Sequence, residues 1–182
     1  MSESSNAANS ADKPLLDDVI RVRNIEAAQL SQLLRSYDLS VECVDSGTTI
    51  PGSFWGDEEA GLIGNVLFVR PDTPIHSALH EACHYICMSH ERRKNLDTNA
   101  GGDYDEENGV CYLQILLSDY LATLNKSRMM ADMDSWGYSF RLGSTQKWFE
   151  QDAEDAHNWL IKNDIIDEGG CPTWRLRGTA ST

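Results

Sequence analysis

The sequence has no apolar run of membrane-spanning length, and its opening "MSESSNAANSADK" lacks the basic-then-apolar pattern of a secretory signal. A cytoplasmic protein that neither spans nor binds a membrane is therefore expected. It also has no C-x-x-C pair, and its cysteine count is odd: Cys43, Cys83, Cys87, Cys111 and Cys171. Three of these fall in apolar, helix-like stretches, which argues for buried thiols in a reducing compartment over a disulfide framework. Positive charge is scarce. Fifteen Lys and Arg stand against 29 Asp and Glu, for a formal net charge of -14. Such a surface repels phosphate backbones and anionic lipids, so a nucleic-acid role is excluded as a first reading, and a peptide or protein partner of basic character is favoured. No internal repeat and no interdomain linker is visible, and oligomeric state is not legible.

A chain of 182 residues suits one domain with a real core and would cramp two. Residues 1–13, rich in Ser, Asn and Ala, are expected to be a disordered tail, leaving 14–182 as the single domain. "NIEAAQLSQLLRSYDLS" has helical spacing, with Asn24 as a possible cap, and "LSVECVD" alternates as a half-buried strand does. The Gly- and Pro-bearing loop that follows carries Phe54 and Trp55, which are expected to pin it to the core rather than line a cleft. Leu62 to Val69 reads as one strand. Thr73 then looks like an N-cap, with Pro74 at the first helical position of a helix running from Ile75 to about Ser89. A second helix begins near "DEENGV", with Asp103 or Asp105 as its cap. A short helix and turn follow in "MMADMDSWGYSFRLG", then one long amphipathic helix in "STQKWFEQDAEDAHNWLIKNDII". The tail after Cys171 is expected to be loose.

The chemistry is concentrated in "HEACH". His80 and His84 are four residues apart, so both imidazoles project from one helix face and can reach one ion. Glu81 stands beside the first histidine and can take a proton from water near that ion, which is the logic of H-E-x-x-H on a helix. The bland alternative is three polar residues that share a helix by accident. Against it, the helix is apolar on nearly every side, and burying two histidines and a glutamate without partners would be costly. Zinc usually takes a third protein ligand and keeps one position open. Nothing downstream supplies the extended H-E-x-x-H-x-x-G-x-x-H pattern. The next helix offers two acids. Glu106 falls in the middle of its apolar stripe, where a carboxylate needs a reason, and it is taken as the third ligand with Glu107 as the alternative. Cys83 and Cys87 are read as core, as is Cys111.

A helix "PIHSALHEACHYICM", a polar loop and a helix opening "EENGVCYLQILL" resemble the gluzincin-type zinc metallopeptidases, most of all their compact cytosolic ImmA/IrrE-like branch. That branch carries E-x-x-A-N-x-F-A at the start of the later helix. Here Glu106, Gly109, Val110, Tyr112 and Leu113 take the corresponding places, and Val110 for asparagine is the main departure. The resemblance covers residues 62–121 and implies an α+β fold: a small zincin-like core, a short sheet packed on the H-E-x-x-H helix, and further helices C-terminal to it. It also implies one Zn²⁺ held by His80, His84 and Glu106, peptide-bond hydrolysis with Glu81 as general base, and an edge strand within 62–69 that pairs with extended substrate. The runner-up is a binding or regulatory module of the same architecture that holds metal without hydrolysis. For the oxyanion-stabilising donor, Tyr138 is preferred over Tyr104, Tyr112 and His157, because its Gly-containing segment could fold over the cleft with Arg141 nearby.

Overall fold

The computed structural model describes residues 19–179, and these share one hydrophobic core. The expected disordered tail, 1–13, lies outside the described residues. The architecture is α+β, with seven α-helices and one three-stranded sheet among the described residues. The first helix, α1, spans Ala27–Arg35, preceded by a 3-10 turn at Val22–Asn24. Strand β1 is Ser40–Cys43. The apolar run read as one strand is a hairpin: β2, Gly61–Ile63, turns through Gly64 and Asn65 into β3, Val66–Val69. Gly64 has φ +57, the left-handed conformation a two-residue hairpin turn requires. Sheet order is β1-β3-β2, with β1 parallel to β3 (Ser40 opposite Val66) and β2 antiparallel to it (Leu62 opposite Leu67).

Strand β2 lies at the sheet edge, but that edge is already taken. Leu62 N–H donates to Gly52 O, Leu62 O accepts from Thr98 N–H, and Gly64 N–H donates to Leu96 O. An extended substrate has no free ladder there, contrary to the expectation for this strand.

Helix α2, Ile75–Cys87, runs through the middle of the molecule with eleven of its thirteen residues buried. It starts one residue later than expected. Pro74 is the cap position, while the Thr73 hydroxyl accepts from Arg70 N–H and closes a turn instead. The chain then passes through the short α3, His90–Lys94, to α4, Tyr104–Ser118. Asp103 caps α4 by accepting from Glu106 N–H at 2.9 Å, worth on the order of 1 kcal/mol. Helix α4 packs along α2 and so faces its histidines.

After α5, Lys126–Trp136, the expected single amphipathic helix is two, α6 (Thr145–Gln151) and α7 (Glu154–Lys162). The break falls at Asp152, whose backbone leaves helical geometry and whose carboxylate is gripped by Arg141. The described part of the tail after Cys171, to residue 179, is tied down. Trp174 packs on Tyr37 and Tyr120, Arg177 N–H donates to Ile86 O at 3.0 Å, and the Arg177 guanidinium reaches Glu106. No helix among the described residues is long and apolar enough to cross a membrane. Cys83 and Cys87 are fully buried in the core, as expected, and all five thiols are free.

Candidate metal centre

Helical spacing brings the two motif histidines together. His80 Nε2 lies 3.1 Å from His84 Nε2, and the rings are nearly perpendicular. Glu107 Oε2 is 3.6 Å from His84 Nε2, and the three donor groups lie within 4.8 Å of one another. A tetrahedral ion with bonds of ~2.0–2.1 Å needs donor atoms roughly 3.3 Å apart. The separations of 3.1 and 3.6 Å bracket that figure, and with all three atoms within 4.8 Å the cluster could hold a metal ion.

The surroundings prepare the donors for ligation. His80 Nδ1 is 2.7 Å from Gln114 Oε1. With the proton on Nδ1, His80 donates to the amide and leaves the Nε2 lone pair facing His84. Burial holds both imidazoles below the usual histidine range, in the neutral form a metal requires. Glu107 Oε1 accepts from Gly102 N–H at 3.0 Å, which orients the carboxylate while Oε2 faces the histidines.

Glu106, the expected third ligand, is elsewhere. It is buried, as its place on the apolar stripe implied. Its oxygens accept two bonds from one Arg92 nitrogen, at 2.7 and 2.9 Å, and one from Arg177 at 3.0 Å. The reason for a carboxylate in that stripe is therefore a pair of arginines 14 and 71 residues away. The donor that reaches the histidines is Glu107, from the more polar flank.

Glu81 lines a cavity of about 240 Å³ together with His80, His84, Glu107, Phe54 and Trp55. Burial, with the Glu59 and Glu107 charges nearby, raises its carboxyl to about 8. The two aromatics do not pin their loop as expected. Phe54 is 58% and Trp55 75% exposed, and they form an edge-to-face pair at 5.2 Å on the rim of this cavity.

Of the candidate oxyanion donors, only Tyr138 is at the site. Its ring meets the His80 ring edge-on at 5.7 Å, and burial keeps its hydroxyl protonated. Tyr104 is exposed, Tyr112 is stacked on Phe149 at 4.5 Å with His157 against its edge, and Arg141 is held by Asp152.

Two residues escaped the sequence reading. Gln114 is seven positions, two helical turns, after Glu107 and so shares its face. His76 is four before His80, extending the histidine ladder by one turn. It is buried with neither ring nitrogen bonded, against Trp136 and Tyr138. Both spacings are visible in the sequence. Compared with known proteins, the chain matches no family model, no curated protein and no solved structure.

Proposed function

We propose that the chain is a zinc-dependent peptidase of the gluzincin kind, acting on peptide or protein substrates in a reducing, cytoplasmic environment. The observation that carries this reading is the convergence of His80 Nε2, His84 Nε2 and the Glu107 carboxylate, with Glu81 lining the same cavity. A structural zinc site has four protein ligands and no need of a base; three donors beside an unligated glutamate in an open cavity suit catalysis.

Bound at the three donors, Zn²⁺ would act as a Lewis acid that acidifies water and polarises a scissile carbonyl. The chain supplies the rest. Gln114 holds His80 in the ligating tautomer. Glu81 takes a proton from water and later hands it to the leaving amine. Its buried setting makes it a stronger base than an exposed carboxylate, and a dication nearby opposes that shift, favouring the ionised form. The Tyr138 hydroxyl, kept protonated by burial, is a donor for the developing oxyanion. Five free thiols and the absence of disulfides suit a reducing compartment.

The test is metal stoichiometry on the purified protein, followed by cleavage of casein and a peptide library by wild type and Glu81→Gln. One zinc per chain, with hydrolysis lost by roughly 10²-fold or more in the variant, supports the reading. One zinc with no turnover in either protein would replace it with a metal-holding binding module.

A further inference from the structure

A second cavity, of about 460 Å³, opens beside the first and shares Trp55, His80 and Glu81 with it. Its remaining lining includes Glu59, Trp136 and Tyr138. Among the described residues no lysine or arginine lines it. Three aromatic rings and two carboxylates thus surround a space large enough for one long side chain, directly next to His80.

Glu59 is half-buried and accepts one hydrogen bond, from Trp136 Nε1 at 2.8 Å. That bond fixes one oxygen of the carboxylate against the indole, within the lining of the cavity. The buried Arg21 guanidinium lies over the Trp136 ring, 6.0 Å from its centre, and is paired with Glu58 at 2.8 Å. Trp55 is 75% exposed, so most of its indole is open to a ligand, its ring contact among the described residues being the edge-to-face one with Phe54.

We infer that this cavity is a specificity pocket for an arginine side chain of the substrate peptide, close to the bond that is cut. A guanidinium is flat enough to stack on an indole while its fork of N–H donors reaches a carboxylate. A neutral or acidic side chain would leave Glu59 without a counter-charge in a partly desolvated space. The net charge of -14 adds a long-range attraction of the same sign. This assignment rests on the peptidase reading of the adjoining centre.

The experiment uses zinc-loaded Glu81→Gln protein, so that ligands are bound without being cut. Two acetylated, amidated tetrapeptides are compared by calorimetry and tryptophan fluorescence. They are identical except that one carries arginine and the other citrulline, its uncharged isostere. The arginine peptide should bind about tenfold more tightly, the scale of one cation–aromatic and one charge-assisted contact. Adding Glu59→Gln should remove most of that preference, since glutamine still accepts from Trp136 but carries no charge. Should that variant not fold, Trp55→Ala, at an exposed position, should cut the preference by about threefold or more. Equal affinity for the two peptides, or a preference unmoved by these substitutions, overturns the pocket. Cleavage by wild-type protein is read separately. Hydrolysis without arginine preference sinks the pocket alone, whereas arginine preference without hydrolysis sinks the peptidase reading.

Discussion

Gln114 Oε1, on α4, lies 2.7 Å from His80 Nδ1, on α2. The amide is fully buried, and its nitrogen reaches back to His76 O at 3.4 Å, so its orientation is set from both ends. A histidine held this way keeps its Nε2 lone pair facing His84, where the proposed zinc would bind. Gln114→Leu should weaken zinc binding by about 10–100-fold, the usual cost of losing such a support. Gln114→Glu restores an acceptor, adds negative charge behind the imidazole, and should bind at least as tightly as wild type. Competition with a chromophoric chelator measures both. Unchanged affinity in the leucine variant would reduce Gln114 to a packing residue.

Adjacent glutamates on α4 should respond in opposite ways. Glu107→Gln exchanges the anionic third donor for a neutral, weaker amide oxygen and should lower zinc affinity at least tenfold, with little effect on the metal-free fold, because this side chain is partly exposed. Glu106→Gln leaves the donors in place but strips a buried carboxylate from Arg92 and Arg177, both part-exposed. After allowing for that exposure, about 2 kcal/mol of stability should be lost. Urea unfolding with and without chelator, set beside zinc affinity, separates the two. If Glu106→Gln loses the metal while Glu107→Gln keeps it, the ligand assignment made from the geometry is reversed.

Periodicity and the H-E-x-x-H string were enough to place α2, α4 and the two histidines, because those features are local, while the α+β class came from the resemblance those helices carry. What they could not reach was long-range pairing. Glu106 and Glu107 are neighbours in the chain, and the choice between them depends on Arg177, 71 residues on, docking against Cys87 O and Glu106. The tail after Cys171 carries no helical or strand pattern, yet it is anchored by Trp174 and Arg177. The hairpin at Gly64 and Asn65 was a local signal passed over, since the apolar residues on both sides read as one run. The exposed Phe54 and Trp55 run against the general burial of aromatics, and that conflict marks them as part of the candidate site.

Gly109 holds α4 and α7 together by having no side chain. A Cβ at that position would stand 2.7 Å from Trp159 Cε3 and 3.0 Å from Cζ3. The other partner of the Trp159 ring is the Arg177 guanidinium, 5.0 Å from its centre, so the indole has little room to retreat. Alanine, the residue of the resembling pattern at this place, should therefore destabilise the protein by about 1–3 kcal/mol. Pairing it with Trp159→Leu should recover part of the loss, because the clash disappears. A Gly109→Ala variant that melts with wild type in urea would show that the helices tolerate a wider spacing.

His76 should make the protein acid-labile independently of the metal. Its ring is buried against Trp136 and Tyr138, and burial, reinforced by the His80 and Arg21 charges, holds it down at about 3. In the unfolded chain it titrates near ~6.5. Below that value the unfolded chain binds a proton that the native state refuses, so stability is complete above it and falls as pH drops towards 3. Between pH 7 and 5 the loss from this residue integrates to about 2 kcal/mol. His80 and His84 carry the same sign, being depressed by burial as well, but both remain in a His76→Phe variant. Urea unfolding of the two proteins in chelator at pH 7 and pH 5 thus isolates His76. Wild type should lose about 2 kcal/mol more than the variant across that interval; equal losses would mean the buried imidazole takes up its proton without opening the fold.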